Sequence, residues 1–200
     1  MTTFSDVLAR QLRTDPGLPL ITFYDEATGE RVELSATTYA NWVAKTASLL
    51  TEEHDLERGQ RLVVDLPAHW LGPVFLGAAW TVGLVVVGPD DADPTGVDAV
   101  VCGPGSLARW SAYAEDLPVL ACSLLPLGVR FAEPVPPGVH DVGIEVWSQP
   151  DAFVSYDPPG GDDPADSFGV LGTDQSLGDQ GMRDPIHGRV HGAYRLRPAP

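Results

Sequence analysis

Phe4, Val7, Leu8 and Leu12 recur at helical spacing, and Asp15-Pro16-Gly17 ends that helix. Leu20 to Tyr24 is rich in strand formers, Thr28-Gly29 supplies a turn, and Arg31 to Leu34 returns, which predicts a β-hairpin. Ser35 is placed to cap a helix whose apolar stripe runs through Tyr39, Trp42, Val43, Thr46, Leu49 and Leu50. Lys45 falls outside that stripe and is expected to be solvated. Arg61 to Leu66 is nearly continuously apolar, as parallel strands covered on both faces are. Trp70 to about Thr81 is apolar all round and predicts a buried helix, which Gly83 turns into a strand over Leu84 to Val87. Val97 to Cys102, Ser106 to Glu115 and Pro118 to Ser123 repeat the strand, helix, strand order. Pro134, Pro136, Pro137 and Gly138 form a linker-like break, and Val142 to Trp147 reads as one more strand.

The pattern predicts an α/β fold: a mixed, partly parallel sheet flanked by helices, with an N-terminal β-hairpin. Residues 1–160 would form this domain. From residue 161 to 200 large apolar residues are few and no period is visible, so a disordered tail is expected there. An out-of-frame C-terminus is another reading of that change in character. No internal repeat is visible.

Composition narrows the partners. With 12 basic and 28 acidic residues the formal charge is −16, a field that repels phosphate backbones and anionic lipid, so neither nucleic acid nor a membrane surface is expected as a partner. Trp70 to Pro89 is a 20-residue stretch without a charge, long enough to raise the question of a membrane span. Its glycines and prolines, and Asp90, Asp91 and Asp93 directly after it, favour a buried helix, turn and strand. The N-terminus has neither the basic start nor the apolar core of a signal peptide. Cys102 and Cys122 lie in apolar strand-like runs and are expected as free core thiols in a cytoplasmic protein.

Leu34 to Asp90 carries a resemblance. Leu34-Ser35-Ala36-Thr37-Thr38-Tyr39 with the helix to Leu50 resembles the first motif of the AMP-binding superfamily of acyl-CoA synthetases and adenylate-forming enzymes. Arg58-Gly59-Gln60-Arg61-Leu62-Val63-Val64-Asp65-Leu66-Pro67 is similar to a further stretch of that family. Ala79-Trp80-Thr81-Val82-Gly83-Leu84-Val85-Val86-Val87-Gly88-Pro89-Asp90 resembles its second motif. The resemblance covers about residues 4 to 125 and implies the scaffold-like N-terminal lobe of such an enzyme. It also resembles short actinobacterial relatives of AMP-binding enzymes.

The family's chemistry needs a Gly-rich phosphate loop with a lysine and a second lysine near the C-terminus. Lys45 is the chain's only lysine and precedes both places. Ser167 to Thr173 shares the loop's composition but lacks its basic residue. The resemblance therefore implies a truncated, non-catalytic binding or interaction module with no catalytic residue, no cofactor and no metal. Its partner would be a protein docking where the missing lobe would sit. The alternatives are a nucleotide or acyl-CoA binder or enzyme, and a product without activity.

Four residues are weak candidates for binding. His69 stands where a strand ends and a helix begins, the usual ligand position in α/β sheets. Gly103, Gly105 and Ser106 follow a strand and open a helix, where phosphate can be held, although a plain turn explains them too. Asp90, Asp91, Asp93 and Asp98 lack calcium-loop spacing and read as a solvated loop. His187 and His191 have helical zinc spacing, but Gly188 and Gly192 argue against a helix. Asp65, inside an apolar strand, needs a partner, which Arg61 or Arg109 could supply.

Overall fold

A computed structural model describes residues 2–166 and the backbone of residues 192–196. Helix α1 (Phe4–Thr14) starts at a reciprocal cap: Thr3 accepts from the Asp6 N–H while the Asp6 carboxylate accepts from the Thr3 N–H. Strands β1 (Pro19–Asp25) and β2 (Glu30–Ser35) form the expected hairpin, with Phe23 opposite Val32. Ser35 then caps α2 (Ala36–Ser48), accepting from the Thr38 N–H at 3.1 Å. The helix runs on into a π-helical turn, Leu49–Glu53, that ends at His54.

The centre is a five-stranded parallel sheet in the order β4-β3-β5-β6-β7. Its strands are β3 (Arg61–Asp65), β4 (Val85–Val87), β5 (Ala99–Cys102), β6 (Val119–Ala121) and β7 (Val139–Asp141). Valine-rich strands suit it because both faces are covered, and alternate residues serve two cores. Leu62, Ala99 and Val101 face the core built with α2 and α3 (Leu71–Val82), which also holds Phe4, Phe23, Tyr39, Trp70 and Phe75. Val63, Val100, Cys102 and Val119 face the other core, whose centre is Trp110 on the short helix α4 (Leu107–Trp110). The antiparallel pairing lies in a separate sheet in which β1 sits between β2 and β8 (Gly192–Leu196).

Gly83 ends α3 in the left-handed region at φ 91°, so the apolar stretch from Trp70 to Pro89 is a buried helix, a turn and a strand, as expected. Among the described residues no helix is long and apolar enough to cross a membrane.

Two expectations about elements change. Val142 to Trp147 is not a strand: β7 precedes it, and α5 (Val142–Glu145) begins there because Asp141 accepts from the Gly143 N–H at 3.0 Å. Val142 and Val146 then bury one helical face. The helix expected over Ser106 to Glu115 is one α-turn followed by a 3₁₀ turn, Ser111–Tyr113. Beyond residue 160 the described chain stays packed on the domain: Ala165 and Asp166 are buried and the Val86 N–H donates to the Ala165 carbonyl at 3.2 Å. Residues 167–191 and 197–200, including Ser167 to Thr173, His187 and His191, lie outside the described residues.

Candidate functional site

From β3 the chain first adds β4 on one side and then crosses to add β5 on the other. That reversal makes a crevice outside the carboxyl ends of β3 and β5, the place where open α/β sheets receive ligands. Asp65 and Cys102, paired in register, mark its floor.

Protein groups occupy the crevice. The Asp65 carbonyl accepts from the Gly103 N–H at 3.1 Å and from the Ser106 hydroxyl at 3.2 Å. The Asp65 carboxylate accepts from the Trp110 indole N–H at 2.6 Å. Trp110, not Arg61 or Arg109, is therefore the partner that this carboxylate needs. Arg109 instead lies over the Trp110 ring, 4.3 Å from its centroid, and donates to the Pro89 carbonyl. The Asp98 carboxylate accepts from the Arg61 N–H at 2.7 Å and the Gln60 amide at 3.3 Å, and Asp93 caps the turn at Thr95. The two thus serve local backbone geometry.

Gly103 is closely backed: a Cβ there would lie 3.2 Å from Leu124 and 3.3 Å from Pro67, whereas one at Gly105 would meet open space. Ser106 makes no cap bond to α4, and a single helical turn has little dipole to offer an anion. Gly103, Gly105 and Ser106 thus gather at the crevice, but His69 does not join them.

His69 is buried against the hairpin, its ring 5.0 Å from Phe23 and 5.5 Å from Trp70. Its Nδ1 accepts from the Leu71 N–H at 3.3 Å. Burial pushes its pKa down to about 4, against a small upward pull from Asp25. Its Nε2 and the Trp70 Nε1 are buried without a hydrogen-bond partner among the described residues.

Lys45 is not solvated. Its ammonium donates to the Gln149 carbonyl and pairs with Asp151 at 3.0 Å, its side chain only 18% exposed. Cys102 and Cys122 are free buried thiols whose pKa values burial raises, that of Cys102 to about 12, so neither is a ready nucleophile.

One group escapes sequence reasoning altogether. His54, at the end of the π-turn, faces Glu145 on α5 with Nε2 3.2 Å from Oε2. His140 on β7 faces the same carboxylate, Nδ1 lying 2.9 Å from Oε1. The two imidazoles cross at 79° with centroids 4.5 Å apart. Burial lowers the His54 pKa, and the neighbouring His140 adds to this against the opposing pull of Glu145. The sole local signal, a His and a Glu five residues apart, is too common to notice, and His54 lies 91 residues from Glu145.

The parallel sheet in this strand order, flanked by α2 and α3 and preceded by the hairpin, defines the class: it is the fold of the N-terminal part of acyl-CoA synthetases. Acetoacetyl-CoA synthetase from Streptomyces lividans shares it with a TM-score of 0.64 at 19% identity, over 82% of this chain and 27% of that one. A benzoate CoA ligase from Burkholderia xenovorans shares it with a TM-score of 0.60 at 16% identity, over 83% and 32%. More particularly, the chain is similar to a TIGR03089 family protein of Mycobacterium tuberculosis, 38% identical over 158 residues. That match covers 77% of this chain, which spans 63% of that relative's length. No protein-family model matches the chain. The likeness ties the chain to the adenylate-forming synthetases at the level of fold, and function belongs to the site rather than to the fold.

Proposed function

We propose that this chain is a non-catalytic relative of the adenylate-forming enzymes that serves as a binding or interaction module. The observation that carries this reading is the crevice at the switch point, which Trp110, Ser106 and Gly103 fill against Asp65. A nucleotide placed there would have to displace the partly buried indole–carboxylate bond. The chain's one lysine, the side chain that such chemistry would need against phosphate, is tied to Gln149 and Asp151. Exposed apolar side chains suit a protein partner: Leu127, Ile144 and Trp147 are 72%, 58% and 52% exposed. Gly128, beside Leu127, packs on Trp42 and Trp70, and Trp42 in turn meets Trp147 edge to face, their centroids 5.4 Å apart. A protein partner docking where the missing lobe would sit is the occupant this reading assigns to such a surface.

A second reading, a nucleotide- or acyl-CoA-binding protein or enzyme, draws support from His69 Nε2 and Trp70 Nε1, which are buried without a hydrogen-bond partner among the described residues. Two measurements separate the readings. ATP–pyrophosphate exchange with a panel of carboxylic acids is expected to stay at background, and exchange above it would overturn the non-catalytic assignment. Thermal-shift titration with Mg·ATP, AMP, CoA and acyl-CoAs is expected to show no saturating shift. A ligand at 100 times its Kd would stabilise by about 2.7 kcal/mol, a rise of several degrees. Such a rise favours the second reading.

A further inference from the structure

We propose that His54, His140 and Glu145 form a binding site for a divalent transition-metal ion of the zinc type. Each offers one donor atom, an imidazole nitrogen from each histidine and a carboxylate oxygen from Glu145, and these atoms all lie within 4.8 Å of one another. A tetrahedral ion with bonds of about 2.0–2.1 Å holds its donors about 3.3 Å apart. His54 Nε2 stands 3.2 Å from Glu145 Oε2 and His140 Nδ1 2.9 Å from Oε1, so each ring faces one oxygen of the same carboxylate at close to that separation. An ion would enter between the three groups as their side chains turn towards it, replacing the hydrogen bonds now made to the carboxylate. Each ring would carry its proton on the nitrogen turned away from the ion.

The site is assembled by the fold. The π-turn at Leu49–Glu53 delivers His54, whose side chain is 3% exposed, to the foot of β7. Such turns often accompany functional positions. The Asp141 cap fixes the step from β7 into α5, and so sets His140 and Glu145 on either side of that corner. His140 and Glu145 remain 40% and 29% exposed, so the ion would reach solvent on that side and keep a position for water.

Two nitrogens and one carboxylate select zinc, cobalt, nickel or copper over the oxygen-seeking magnesium and calcium. The chain's charge of −16 raises the local concentration of any cation. This site is separate from the switch-point crevice, and the proposal does not depend on the function assigned above.

The test uses the full chain, stripped with a chelator and titrated with Zn²⁺ by calorimetry and with Co²⁺ by visible absorption. One equivalent is expected, with the strong d–d bands of four-coordinate cobalt. H140A and E145Q should each weaken binding by at least about tenfold, the scale set by loss of even an outer-sphere partner. Both positions are partly exposed and E145Q is nearly isosteric, so unchanged near-UV circular dichroism of the metal-free variants separates ligand loss from misfolding. H187A/H191A should bind as the parent does. Absence of binding by the parent chain, or binding that survives both H140A and E145Q unchanged, overturns the proposal.

Discussion

His69 sits between Phe23 and Trp70 with its Nδ1 on the Leu71 N–H, and that burial makes it a pH-dependent element of stability. Its pKa falls from 6.5 to about 4 on folding. Because the folded state resists the proton, His69 costs nothing above pH 6.5. It destabilises progressively as pH falls from there towards 4, where the unfolded chain alone is protonated. H69N keeps an acceptor for Leu71 but no titrating ring. Between pH 7 and 4.5 the parent should lose about 2 kcal/mol more than H69N in urea unfolding. Equal losses would mean that the buried ring takes up protons as readily as a free one. The sequence placed His69 correctly at a strand-to-helix junction. It could not show that the ring turns to the hairpin, because Phe23, which meets it there, lies in a different sheet. Lys45 is the same lesson in reverse: outside the apolar stripe, it still has partners more than a hundred residues away. Asp65 was legible as needing a partner, but an indole N–H one turn into a later helix leaves no charge pattern to find.

At the level of elements, α2 and α3 cross where Gly77 lets them approach. A Cβ there would stand 2.4 Å from the Tyr39 hydroxyl and 2.9 Å from both Phe4 and Val43. The Tyr39 hydroxyl is held in place, donating to the Pro73 carbonyl at 2.9 Å. G77A should therefore destabilise by about 1–3 kcal/mol despite alanine's better helix propensity. Combining it with Y39F removes the nearest atom, so the double variant should be more stable than the sum of the single losses predicts. Strict additivity in urea unfolding would show that the helices simply move apart. Helices and strands with long apolar patterns were legible because each buries a continuous stripe. The last strand and helix were not, since Val142-Gly143-Ile144-Glu145-Val146-Trp147 alternates like a strand. What decides its shape is the Asp141 cap and the burial of Val142 and Val146 on one face.

For the whole molecule, the segment after α5 straps the domain across both ends of its central helices. Lys45 holds Gln149 and Asp151; Arg58 pairs with Asp157 at 3.0 Å and Asp163 at 2.8 Å; the Trp80 indole donates to the Ala165 carbonyl at 3.2 Å. These partners stand 85 to 106 residues apart in the chain, so no local pattern announces them. The Arg58 pair holds the Asp163 carboxyl below its ordinary pKa, yet Asp157 is largely exposed, so the contact is screened by salt. R58Q should leave the cooperative melting transition nearly unchanged, because the Arg58 contacts are exposed and lie outside the two buried cores. It should speed amide exchange at Val86, whose N–H donates to Ala165, and cleavage within 155–166, each several-fold. High salt should do the same to the parent chain and little more to R58Q. If exchange at Val86 were equally slow in R58Q and in the parent at all ionic strengths, burial of Ala165 and the Trp80 bond would hold the strap without Arg58. The acidic residues of 157–163 would then serve only to keep it solvated.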